Sequence, residues 1–141
     1  MGEPRTGFAF LEHTADVGIR AWGPSPREAF EQAGIGLAAL MGLTARSPGR
    51  ATQFHVDGVD AGGLLVALLD ELVFRLETAE GEGLASLRIT RLNPTSLQAT
   101  VELAPMRDPV EGLVVKAATY HQLEVAERPE GATEIRVFLD V

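Results

Sequence analysis

Apolar residues occupy every second position over several stretches of this chain, and this two-residue period predicts half-buried β-strands. The first of these stretches covers residues 17–22. The other predicted strands cover residues 52–56, 87–91, 97–103, 114–120, 123–127 and 133–139. Asn93-Pro94-Thr95-Ser96 is typical of a hairpin turn, and Pro129-Glu130-Gly131 predicts a second turn.

Two other stretches have the period of an amphipathic helix. The first begins at Ser25, a suitable N-cap, which Pro26 follows at a favoured first position, and Gly42 predicts its end. Its apolar face consists of Phe30, Ala33, Leu37, Leu40 and Met41. Asp60 is a suitable N-cap for the second helix. The broad apolar face of that helix consists of Leu64, Leu65, Leu68, Leu69, Leu72, Val73 and Leu76.

The order of these elements predicts the fold class. The helices do not alternate regularly with strands, which argues against a doubly wound parallel sheet. We expect an α+β fold of two layers, with two helices packed on one face of a mixed, mostly antiparallel β-sheet. The length of 141 residues fits one domain, residues 1–141, and the sequence contains no repeat or linker.

Composition and charge narrow the functional classes. The net charge of −8 argues against direct binding to a phosphate backbone and favours a basic partner. The chain contains no cysteine, which excludes disulfides and cysteine-rich zinc sites. No signal peptide or membrane-spanning segment is expected from the sequence, so the predicted location is the cytoplasm.

Acidic residues at both ends of the chain predict a metal site. Asp16 precedes the first predicted strand, and Asp140 with the α-carboxylate of Val141 follows the last one. If these strands are neighbours, three carboxylates converge, and such oxygen ligands suit Ca²⁺ or Mg²⁺. The alternative for Asp16 is ordinary turn chemistry. His13 is a poor ligand for a hard ion, so we expect it to orient Asp16 or a bound group.

Two further residues are candidates for chemistry. Lys116 is the only lysine among twelve basic residues, which suggests that a compact ammonium is needed there to balance charge or contact a phosphate. The alternative is a protective surface lysine on a strand edge. His121 is either a general base or a structural hydrogen-bonding residue. The carboxylates of Asp70 and Glu71 are interpreted as the solvated side of the second helix.

Several segments together resemble the archease family. Residues 10–21 read FLEHTADVGIRA, which is similar to the opening signature of that family. The other similar segments follow in matching order and cover residues 25–40, 68–72, 116–121 and 136–141. One departure is the segment VALL at residues 66–69, where relatives commonly carry Trp and Asn nearby.

The resemblance implies a fold and a function. Archeases are two-layer α/β proteins that promote the guanylylation and repeated turnover of RtcB-type RNA ligases, which join RNA ends in tRNA splicing with GTP and manganese. By matching motifs, Asp16 and Asp140, with Val141 beside them, hold a divalent ion, and Lys116 takes part in activation. Ca²⁺ is the expected ion, with Mg²⁺ or Mn²⁺ as alternatives. RNA is then contacted only through the ligase, and the chain is not itself an enzyme.

Three other functions remain open from the sequence. One is a self-sufficient metal-dependent phosphohydrolase, in which Asp16 and Asp140 hold Mg²⁺ and His121 activates water. The resemblance also implies a chaperone-like role towards a tRNA methyltransferase. A general folding chaperone is the third.

Overall fold

Two helices form where the apolar residues recur at helical spacing. The computed structural model describes residues 3–13 and 16–141, and only the backbone of Glu12 and His13. Helix α1 spans Pro26–Leu40, and helix α2 spans Ala61–Thr78. The Asp60 carboxylate accepts the Gly63 N–H at 2.8 Å, which confirms the predicted N-cap. Neither helix reaches the combination of length and apolar content that crossing a membrane requires.

The strands of the described residues pair in two antiparallel sheets. The eight strands are β1 (Gly7–His13), β2 (Asp16–Gly23), β3 (Arg50–Asp57), β4 (Glu82–Asn93), β5 (Ser96–Pro105), β6 (Ala117–Ala118), β7 (Glu124–Glu127) and β8 (Thr133–Asp140). The five-stranded sheet has the order β1-β2-β8-β6, with β7 also paired to β8, and the three-stranded sheet has the order β3-β5-β4. The named strand pairs are all antiparallel.

This architecture confirms the predicted α+β class with two helices. It differs in one respect, because the strands are divided between two sheets where the sequence predicted one mixed sheet. Helix α1 contacts β1, β2 and β8 of the larger sheet and β4 of the smaller one, while α2 contacts strands of both sheets as well. The two helices therefore form the shared apolar centre that joins the sheets.

The helices and the smaller sheet meet closely at Gly34. A Cβ atom at this position would overlap Leu87 Cδ2 and would lie 2.8 Å from Leu72 Cδ1. Both leucine side chains would have to shift to accept it, so glycine permits the close approach of α1, α2 and β4. The leucine face of α2 is buried here as predicted, and Leu72 is completely inaccessible.

The strand predictions differ from the structure in two places. Strand β1 was not predicted, because its apolar residues 8–11 follow one another without alternation. The predicted strand at residues 114–120 is reduced to the two residues of β6. Val114 is 73% exposed, and residues 106–116 form neither helix nor strand. The hairpin turn between β4 and β5 is confirmed, since Asn93 and Ser96 are direct partners.

Candidate metal centre on the larger sheet

Strand pairing brings the two candidate aspartates together from opposite ends of the sequence. Strands β2 and β8 are antiparallel neighbours, and Val17 lies opposite Leu139. Asp16 precedes Val17 and Asp140 follows Leu139, and both are strand residues. One further step of the same register therefore places Asp16 across from Asp140.

Both aspartates belong to the face of the five-stranded sheet that is turned away from α1. Successive strand residues point to opposite faces, and Ile19 with Ala21 forms the buried, helix-facing side of β2. We call the other side the open face. Its residues are Asp16, Gly18, Arg20 and Trp22 of β2 and Glu134, Arg136, Phe138 and Asp140 of β8. Asp16 and Asp140 are exposed there.

The chemistry of this pair fits a hard divalent cation. Two carboxylates at opposite positions of antiparallel strands destabilise each other unless a cation lies between them. Among the side chains that the structure describes, which do not include those of residues 12–15, no three of His, Cys, Asp or Glu form a group suited to a metal ion. The two aspartates would therefore need further oxygen ligands. Val141, which follows Asp140 directly, is 43% exposed and was predicted to supply its α-carboxylate.

An apolar surface lies next to the aspartate pair on the open face. Gly18 is opposite Phe138, and a Cβ atom at residue 18 would lie 2.8 Å from Phe138 Cδ1. Glycine therefore leaves room for the phenylalanine ring over the sheet. The His121 ring packs against the Phe138 ring at a tilt, with centroids 6.1 Å apart, although His121 remains exposed. His121 thus lies near the site through an aromatic contact, and its role as a general base or as a structural hydrogen-bonding residue stays a prediction.

The backbone of Lys116 is attached to the same strand end. Its N–H donates to the carbonyl oxygen of Asp140 at 2.8 Å, and the next residue, Ala117, is the strand partner of Asp140. The Lys116 side chain is exposed, and none of the ion pairs among the described residues includes it. The exposed side chain is thus accessible to a partner or ligand.

Part of the signature motif lies outside the described residues. Thr14 and Ala15 are not described, and His13 is described only as the β1 residue that pairs with Asp16. The predicted role of the His13 side chain in orienting Asp16 therefore stays a prediction.

Sequence reasoning missed the role of Asp70. It was interpreted as one of the solvated residues of α2, and the structure does place it on the exposed side of that helix. However, its Oδ1 accepts the N–H of Ala118 in β6 at 2.8 Å. Glu71 instead pairs with Arg75 one helical turn away. The sequence separation of 48 between Asp70 and Ala118 explains why no local pattern revealed the contact.

The other end of the open face carries a network of ion pairs. Arg20 lies 2.7 Å from a carboxylate oxygen of Glu3 and 3.3 Å from one of Glu134, and its guanidinium stacks 4.5 Å from the Trp22 ring centre. Arg128 also pairs with Glu134. Burial by itself raises the pKa of Glu134, but the hydrogen bonds from Arg20 and Arg128 outweigh it, so the pKa lies below its usual value.

This network predicts a pH dependence of stability. The pKa of Glu134 is lower in the folded state than its ordinary value of 4.5. Its contribution to folding stability is therefore present above pH 4.5 and is lost as the pH falls through the folded-state pKa. We expect Glu134→Gln to lower the free energy of unfolding at pH 7 by about 1 kcal/mol and to flatten its decline below about pH 5. Urea unfolding at several pH values measures this. Glu130 is an exposed turn residue, so Glu130→Gln should leave the pH dependence of the unfolding free energy unchanged. Equal pH dependence in the two variants would contradict the prediction.

Comparison with known proteins identifies the family. The sequence profile of the archease protein family matches residues 8–141, which is nearly the whole chain. The chain belongs to the archease family. A protein archease-like from Drosophila melanogaster is 30% identical over 98% of this chain and 92% of its own length. A protein archease from Pyrobaculum islandicum is 35% identical over 89% of each chain. The family resemblance inferred from the motifs is therefore confirmed.

Solved archease-like structures have the same fold. Protein 1598 of Methanobacterium thermoautotrophicum superposes with a TM-score of 0.71 at 27% identity, over 96% of this chain and 99% of that one. An archease from Thermotoga maritima, described as a possible chaperone, gives a TM-score of 0.66 at 22% identity, over 100% of this chain and 98% of that one. At that identity the second likeness bears on the fold alone.

Proposed function

We propose that this archease is a non-catalytic activator of an RtcB-type RNA ligase, and that it promotes guanylylation of the ligase with GTP and its repeated turnover. Asp16 and Asp140 would hold a divalent ion, with Ca²⁺ as the expected species and the Val141 α-carboxylate as a further ligand. Lys116 would contact a phosphate of GTP at the shared site. RNA would be contacted only through the ligase.

One observation carries this proposal. The chain brings Asp16, Asp140 and the Lys116 backbone to one end of the open face, although Asp16 is far from the other two in the sequence. Each of these residues belongs to a segment by which the chain resembles the archease family. The convergence therefore joins the family motifs into one candidate site.

The residues of the site have distinct roles in the proposal. A divalent ion, when bound, would supply positive charge for phosphate oxygens. The exposed Lys116 ammonium adds a compact charge that can approach a phosphate without the planar geometry of arginine. Neither Asp16 nor Asp140 is buried, so a partner protein can reach the site directly.

The overall charge supports a basic partner. With a net charge of −8, the chain is suited to long-range attraction by a positively charged protein. RNA ligases need positive surfaces to hold the phosphate backbone of their substrate. Electrostatic attraction would then accelerate association, and this acceleration should fall as the salt concentration rises.

The proposal predicts that Lys116→Ala greatly weakens ligase stimulation. A hydrogen bond to a charged group contributes about 1.5 kcal/mol or more, so stimulation should fall roughly tenfold. The assay measures multiple-turnover joining of RNA ends by an RtcB-type ligase with GTP, with and without this chain. Lys116→Arg keeps the charge but changes its shape, and it should restore only part of the activity.

Controls separate this function from its rivals. Arg91→Ala removes an exposed positive charge from β4, in the other sheet, and should stimulate like the wild type. Asp16→Ala and Asp140→Ala should both lose stimulation. If these two variants and Lys116→Ala all stimulate fully, the proposal is wrong. Turnover of phosphate esters by the chain and metal without ligase would favour the phosphohydrolase instead.

A further inference from the structure

Backbone hydrogen bonds hold the segment that carries Lys116. Residues 106–116 contain no helix or strand, and β6, which follows, has only two residues. Its backbone N–H groups include those of Met106, Leu113 and Lys116, which donate to the carbonyl oxygens of Gly81, Leu40 and Asp140 at 2.8–3.0 Å. After β6, the Thr119 N–H donates to the carbonyl oxygen of Phe138 at 3.0 Å. Because these acceptors are main-chain oxygens, substitution of a side chain does not remove them.

Asp70 attaches the same segment through a side chain. Its Oδ1 accepts the Ala118 N–H at 2.8 Å, from the middle of α2. Ala118 is only 7% exposed, so its N–H would have little access to water if the carboxylate were removed. A charged acceptor also makes a stronger hydrogen bond than a neutral one. An exposed aspartate therefore satisfies a buried backbone donor across two elements.

We propose that Asp70 is a positioning residue for Lys116, an inference that rests on the proposed function. The Lys116 N–H is bound to Asp140 of β8, and the Ala118 N–H, two residues later, is bound to Asp70 of α2. Residues 116–118 are therefore fixed on both sides. Release of the Asp70 contact frees one side and widens the range of positions open to the Lys116 ammonium beside the aspartate pair.

The contact itself is tested without any ligase. In Asp70→Ala, the Ala118 amide should exchange its hydrogen roughly tenfold faster than in the wild type, as measured by NMR. Asp70→Asn retains an Oδ1 acceptor and should preserve most of the protection. Glu71→Gln changes the adjacent acid, which pairs with Arg75, and should leave Ala118 unaffected.

The positioning role is tested by ligase stimulation and Ca²⁺ binding together. Asp70→Ala should lower the maximal stimulation several-fold, Asp70→Asn should restore it, and the Ca²⁺ affinity should be unchanged in both variants. A purely structural role for Asp70 would not give this separation of stimulation from metal binding.

The outcomes distinguish this inference from the proposed function. Full stimulation by Asp70→Ala, or unchanged exchange at Ala118, overturns the inference while the ligase function stands. If the wild type itself stimulates no ligase, the proposed function fails. The positioning of residues 116–118 by Asp70 is then decided by the exchange rates alone.

Discussion

We expect Asp16→Asn to raise the melting temperature of the metal-free chain and to remove most of the stabilisation that Ca²⁺ gives the wild type. Asp16 lies one register step from a position opposite Asp140, so their like charges should destabilise the metal-free sheet by up to about 1 kcal/mol. A ligand that binds only the folded state stabilises it by about 2.7 kcal/mol at 100 times its Kd. That corresponds to roughly 10 °C in this size range.

The measurement is thermal unfolding with EDTA and with increasing Ca²⁺, Mg²⁺ or Mn²⁺. Glu77→Gln removes one negative charge from an exposed position of α2 and serves as the matched control, because general charge effects are the same in both variants. Its response to Ca²⁺ should equal that of the wild type. If none of the three ions stabilises the wild type, or if Asp16→Asn responds like the control, the metal centre is wrong.

The second large effect is expected in the core. Leu72→Ala should lower the free energy of unfolding by 2–5 kcal/mol, as an order of magnitude, because Leu72 is completely inaccessible and packs against Gly34 where two helices and a sheet meet. Truncation would leave a cavity among residues that are already closely packed. Urea unfolding measures the loss of stability, and an unchanged dependence of the unfolding free energy on urea concentration would show that only stability has changed.

Phe74→Ala is the matched control on the same helix. Phe74 is larger than Leu72 but 62% exposed, so its truncation should change stability by about 0.5 kcal/mol or less. Similar losses in the two variants would mean that α2 does not face the core as described. A small loss for Leu72→Ala alone would show that the helix junction relaxes around the missing side chain.

The sequence predicted the parts of the fold that local periodicity encodes. The leucine face of α2, the Asp60 cap and the hairpin turn after Asn93 all depend on neighbouring residues, and the structure contains them. The adjacency of the first and last predicted strands was a condition of the predicted site that the sequence could not establish. The β2–β8 pairing meets that condition, and the shared role of the acidic residues stays a prediction.

Non-local contacts could not be predicted in the same way. Strand β1 has a continuous apolar stretch, so no alternating pattern marks it as a strand. Its Phe8 packs towards Gly36 of α1, and the strand lies at the edge of its sheet. The length of β6 depends on attachments to β8 and α2 that sequence spacing does not encode. The partner of Asp70 is likewise distant, and an isolated acid on a helix looks the same whether or not it binds a backbone amide.

The attachment of Lys116 to the carbonyl of Asp140 makes the two aspartates unequal. Asp16 offers the site only its carboxylate, whereas the residue at position 140 also anchors the lysine through its main chain. A change at position 140 that disturbs the strand end would therefore move the carboxylate of residue 140 and the Lys116 ammonium together. In the proposed site, the position of the ion and the position of the lysine are thus coupled through a single peptide unit.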